Sequence, residues 1–268
     1  MTPGHRLNVL FVYEGGRPEY YDALCRRFAK AFLVLSTNSL LFAPIANGVN
    51  EPPVRSIAEF IGHCRTGASS GELLDLMRTR CLLEAGDSGL GRRFDEARRE
   101  VVSDASVRGK LSEELRQAIG NPDAGSLTSV IVGRGGFRDV ERCAQWLRLQ
   151  HFGEVSDHAV ITASVFEMAG EHGWVTNESA KQLVEAAVMW RTLRGALRLA
   201  TESDAEIESL GSGAKAVLAQ SCGTDDFDGL MKAITATAGR AARAIDDLRG
   251  TGVSEPAGDA TNDSPTRS

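Results

Sequence analysis

Carboxylates beside a glycine turn are the residues of this chain whose types and spacing could do chemistry. Asp139 and Glu141 stand just after Gly133-Arg134-Gly135-Gly136, and the apolar run Leu127 to Val132 feeds directly into that turn. Three glycines between a strand-like run and a helical pattern put backbone where it must pass close to something, the usual place of a phosphate-binding turn. Gly135 and Gly136 are therefore the nucleotide-binding candidates, and Asp139 and Glu141 the catalytic ones. The turn has neither the Gly-Lys-Ser/Thr ending of a Walker loop nor G-x-G-x-x-G spacing. Glycine also makes any tight connection sterically cheap. A carboxylate in a first helical turn can simply favour the positive helix end, or pair with Arg134, Arg138 or Arg148, and this structural reading is preferred for both acids.

Other reactive side chains form no pattern. Cys25, Cys64, Cys81, Cys143 and Cys222 are odd in number and contain no C-x-x-C, which excludes a disulfide framework and a zinc site and implies reduced, mostly buried thiols. His5, His63, His151, His158 and His172 are equally scattered, so no metal ligands are assigned. The chain has 268 residues, 42% hydrophobic and 25% charged, an ordinary globular balance. A formal net charge of −6 argues against a nucleic-acid binder. No stretch approaches 18 apolar residues and Met1 to Gly15 has no leader pattern, so a cytoplasmic protein without membrane contact is expected.

The elements that must position the turn alternate at first. Leu7 to Tyr13 reads as a buried strand ending in Gly15-Gly16, and Pro18 opens a helix with Tyr21, Leu24, Cys25, Phe28 and Phe32 on one stripe. A second strand is expected at Ser39 to Ile45, and a helix at Val54 to Cys64 after Pro52-Pro53. Helices then follow at Glu72 to Leu83, Leu90 to Val102 and Ser106 to Ile119, the last stopped by Gly120-Asn121-Pro122. A third strand, Leu127 to Val132, leads to the turn. Beyond it the pattern is helical: Phe137 to Phe152, a helix capped by Asp157 and running to His172, one capped by Thr176 or Asn177, and one opened by Asp225 or Asp226. Trp190 belongs to the core of the third of these. Thr251 to Ser268 has no apolar period and reads as a disordered tail.

Taken together, these segments carry a family resemblance. Gly135-Gly136-Phe137-Arg138-Asp139-Val140-Glu141 followed by Gln145 to His151 resembles the G-G-[hydrophobic]-x-D-[hydrophobic]-E block of glutamine synthetase adenylyltransferases. Trp190-Arg191-Thr192-Leu193-Arg194 resembles that family's Y-x-x-L-R helix, and Leu76 to Arg80 its A-L-x-R-A-R segment. The match extends from about Gly4 to Leu248 and best fits the C-terminal, transferase half of these two-domain enzymes. It implies an α+β fold: a small mixed sheet of nucleotidyltransferase type followed by an all-α helical bundle. The implied division is 1–135 for a truncated nucleotidyltransferase-like module, 136–250 for the bundle and 251–268 for the tail. It also implies transfer of AMP from ATP to a tyrosine of glutamine synthetase, with Mg²⁺ held by an Asp-x-Asp and a third Asp.

At those metal positions the sequence departs from the family. Arg6 and Asn8 fall on the Asp-x-Asp and Leu41 on the third Asp, Ala43 and Ile45 fall on arginines, and Ser129-Val130-Ile131 replaces D-[hydrophobic]-K. An arginine cannot bind Mg²⁺ and asparagine replaces a bridging carboxylate poorly. Losing even one such carboxylate costs on the order of three decades of rate. The expectation is a catalytically inactive relative, with no assigned cofactor, that binds glutamine synthetase or another nitrogen-regulatory protein. One alternative is an active adenylyltransferase using Mg²⁺ and ATP, its carboxylates coming from Glu14, Asp22, Asp139 and Glu141. Another is a truncated or decayed fragment of such an enzyme.

Overall fold

Short polar side chains that reach back to backbone N–H groups set several of the helix starts in this protein. The computed structural model describes residues 10–35, 54–79, 81, 83–84, 89–120, 133–154, 161–200 and 207–250. Arg6, Asn8, Leu41, the expected strands Ser39 to Ile45 and Leu127 to Val132, the Asp157 cap and the tail from Thr251 lie outside the described residues.

Two short strands, β1 (Phe11–Tyr13) and β2 (Val54–Ser56), pair in parallel with Phe11 opposite Val54 and Tyr13 opposite Ser56. Helix α1 (Pro18–Leu35) packs on β2, and α2 (Ile57–Thr66) follows β2 directly. The expected helix start at Val54 is thus corrected. Ser56 stays extended, accepts the Glu59 N–H at 3.2 Å and has its own N–H held by the Glu59 carboxylate at 3.0 Å. This capping box starts the helix at Ile57 and leaves Val54 to the sheet. The same box, Ser69 with Glu72, starts α3 (Ser70–Arg78), which ends where Thr79 turns extended, five residues short of the expected Leu83.

Next come α4 (Leu90–Ser103) and α5 (Ala105–Ala118), the latter capped by the Asp104 carboxylate on the Ser106 and Val107 N–H groups. The remaining helices are α6 (Phe137–Gln150), α7 (Thr162–Glu171), α8 (Asn177–Ala200), α9 (Ser212–Ser221) and α10 (Phe227–Gly250). Thr176 caps α8 through the Ser179 N–H, and Asp226 caps α10 through the Gly229 N–H at 2.7 Å. Helix α9 and the 3₁₀ turn Ile207–Ser209 are additions to the sequence reading.

The α+β assignment holds, with helix predominating and a two-stranded parallel sheet among the described residues. Helices α7 and α8 form a close hairpin, α10 and α9 pack on α8, and α6 touches α5, α7, α8 and α10. A continuous buried cluster runs from Phe60 to Leu248. Trp190, Phe166, Leu111, Leu183 and Ile234 are fully buried in it, each contributing about 1.5–3 kcal/mol through removal of apolar surface from water. No helix described is long and apolar enough to cross a membrane.

Candidate functional site

The glycine turn sits at the meeting point of α5, α6, α8 and α10. Gly135 takes a left-handed φ of +69°, a conformation that costs other residues about 1 kcal/mol or more. Space restricts it further: a Cβ there would lie 2.1 Å from the Ala238 carbonyl oxygen and 2.7 Å from the Ala242 nitrogen, both backbone atoms of α10. Close approach is therefore what the glycine provides, and the neighbour is a helix of the same chain.

Both polar groups of Gly135 are engaged. Its N–H donates to Asp139 Oδ2 at 2.9 Å, and its carbonyl accepts the Trp190 Nε1–H at 3.2 Å. Gly136, the N-cap of α6, donates its N–H to Gly133 O at 2.9 Å. Asp139, only 3% exposed, uses its other oxygen to accept the Gly120 N–H at 2.9 Å. Its charge is thus stabilised by two backbone donors, a strong arrangement for a carboxylate in the first turn of a helix. Of the arginines considered as partners, Arg134 pairs with Asp246 of α10, and Arg148 reaches the Met77 carbonyl at 3.5 Å.

The end of α5 is held at the same place. Arg142 Nη1 of α6 donates to Ala118 O at 2.9 Å, and Arg249 Nη1 of α10 to Ile119 O at 3.3 Å. Two cations thereby satisfy the carbonyls left unpaired at a helix C-terminus and oppose its dipole. From α8, the Arg194 guanidinium lies over the Phe137 ring, 4.4 Å from its centre. Two of the segments that carry the family resemblance, Gly135 to Glu141 and Trp190 to Arg194, therefore touch. Sequence reasoning assigned Trp190 to the core but missed its polar contact and the roles of Arg142, Arg194 and Arg249. The signal for two of these four was present in the Trp-x-x-x-Arg spacing, which places both side chains on one face of a helix.

The other acids are dispersed. Glu14, beyond β1, forms an ion pair with Arg93 of α4 that holds its carboxyl below the usual range. Asp22 pairs with Arg26 on α1 at 2.8 Å, and Glu141 is half-buried on α6. Among the described residues no three His, Cys, Asp or Glu side chains group as metal ligands. The N–H groups of Gly135 and Gly136 are committed within the chain, and so are both Asp139 oxygens.

Residues 126–248, which take in the turn and α6 to α9 with nearly all of α10, match the family model of the GlnD PII-uridylyltransferase. Curated relatives extend the likeness upstream, and they carry the name bifunctional glutamine synthetase adenylyltransferase/adenylyl-removing enzyme. The one from Mycobacterium avium is 31% identical over 222 residues, which is 73% of this chain and 21% of the relative. Those from Streptomyces coelicolor and Chromobacterium violaceum are 28% identical over 202 residues (69% of this chain, 19% of the relative) and 26% over 216 residues (75% and 24%). The chain is related to the glutamine synthetase adenylyltransferases, as the motifs indicated, and spans about a fifth of the length of the curated relatives it matches.

Proposed function

We propose that this chain is an adenylyltransferase-like binding protein without nucleotidyl-transfer activity, whose partner is glutamine synthetase or another protein of nitrogen regulation. One contrast carries the reading. Segments that resemble the relatives' motifs pack on one another, joined by the Gly135–Trp190 hydrogen bond, while the positions that should supply metal carboxylates hold Arg6, Asn8 and Leu41. Apolar and glycine positions serve the packing of the fold, whereas a cluster of mutually repelling carboxylates serves the metal ion that it holds. In this reading Gly135 and Gly136 are a joint between helices, and Asp139 orders the α5 and α6 ends and touches no nucleotide. The names of the relatives supply the partner class.

The test is incubation of the purified chain with labelled ATP, Mg²⁺ and glutamine synthetase, alongside a binding measurement between the two proteins. Unlabelled synthetase together with a saturable complex is expected. Transfer of label would refute the inactivity, and absence of saturable binding to glutamine synthetase would remove that partner from the reading.

A further inference from the structure

Three rings meet where α6 ends and α7 turns into α8. His151, the residue after α6, lays its imidazole flat on the Trp174 indole, with centroids 3.8 Å apart and planes 5° from parallel. His172, the residue after α7, brings a second imidazole to the same indole at 4.9 Å and 29°. Trp174 is itself fixed, because its N–H closes the end of α7 on Ala169 O at 2.9 Å. One indole therefore joins imidazoles from two helix ends. We propose that the His151–Trp174–His172 stack is a proton-operated latch between the C-terminus of α6 and the α7–α8 hairpin, closed with His151 neutral and released when it is protonated.

A neutral imidazole lies well on an indole, since both faces are apolar and the contact gains dispersion energy without charge to hydrate. An imidazolium must find water or an anion. The His151 side chain is 19% exposed, and its anionic neighbour Glu154 stands 3.9 Å away on the exposed turn after it. From the end of α7 it faces His172, whose Nδ1 meets Met168 O at 2.9 Å and so carries a proton in the neutral ring. From α5, Arg108 lies over the ring of Phe152, the next residue. Of these neighbours His172 opposes a positive charge on His151 and Glu154 favours one. Burial holds His151 below its ordinary 6.5, with Glu154 pulling it up and His172 pushing it down. A depressed histidine stabilises the stack fully above pH 6.5, and that stability is lost as pH falls through the lower folded value.

The experiment is an NMR titration of the histidine rings in the full chain, with amide exchange of α7 followed over the same pH range and corrected for intrinsic rates. The His151 midpoint should lie below 6.5, rise in His172→Gln and fall in Glu154→Gln, two substitutions of exposed residues. Protection of α7 should drop across that midpoint and become independent of pH in His151→Gln. A midpoint at or above 6.5 would mean that cation–π attraction to the indole outweighs burial, and would overturn the latch. So would α7 protection that stays flat across the midpoint, or midpoints unmoved by the two surface substitutions.

Discussion

Replacing Gly135 by alanine tests the clasp most severely. The left-handed backbone at this position costs an L-residue about 1–2 kcal/mol. The new methyl would meet the Ala238 oxygen at 2.1 Å and the Ala242 nitrogen at 2.7 Å, so a helix backbone must move and no side chain can rotate aside. Overpacking of this kind costs about 1–3 kcal/mol, with the upper end appropriate where backbone is the obstacle. Displacing α10 also loosens the Trp190 and Asp139 hydrogen bonds to Gly135, at about 1 kcal/mol each. The sum, about 4–7 kcal/mol, is a large part of the 5–15 kcal/mol that holds a typical domain together. Urea unfolding followed by far-ultraviolet circular dichroism should show the midpoint lowered by about 1 M or more. Gly239→Ala on the same α10 is the matched control. Its Cβ would meet only Arg243 Nη1 at an ordinary 3.7 Å, and removing a mid-helix glycine should stabilise by about 0.5–1 kcal/mol. A Gly135→Ala protein within about 1 kcal/mol of wild type would refute the close-approach reasoning.

Two further outcomes follow from the same geometry and burial. Asp139→Asn keeps one carbonyl acceptor but turns an amide donor toward the second N–H, so about 2–4 kcal/mol should be lost in the same urea assay, with no change expected in glutamine synthetase binding. At alkaline pH the buried thiols should govern stability: burial pushes Cys143 up to about 12 and Cys64 up to about 11, whereas an unfolded cysteine ionises near 9.0. Because the folded value is the raised one, stability is fully present below pH 9 and falls as pH rises toward 11–12, by up to about 1.4 kcal/mol per pH unit for each thiol. Cys143→Ala should flatten that slope between pH 9 and 11 in denaturant titrations.

Long helices with clear stripes were legible in the sequence, and so were caps whose partner lies three residues away, as at Thr176 and Asp226, though the Asp104 cap went unread. Failures came where a signal was local but competing, or where the partner was distant. Val54 precedes a capping box that could have been recognised from Ser56-x-x-Glu59, yet the prolines before it suggested an earlier start. Helix α9, Ser212 to Ser221, is small and alanine-rich with a weak apolar stripe, and its burial depends on α8 and α10 beneath it. At the turn, the nearby acid and the glycines were singled out correctly as belonging together. What they bind was not readable, because the Gly120 N–H that completes Asp139 lies 19 residues upstream and the Trp190 donor 55 residues downstream.

The seat of Gly135 has a further consequence for how the chain comes off the ribosome. The surface against which the turn is pressed belongs to Ala238 and Ala242, so it is synthesised more than a hundred residues after the turn. Until α10 has emerged, the turn lacks its floor, Arg134 lacks Asp246, and the Ile119 carbonyl lacks Arg249. Helices α5 to α8 cannot complete these contacts before α10 is made. Stop codons or deletions that remove α10 should therefore yield a chain that collapses without completing its core and is drawn into aggregation or proteolysis.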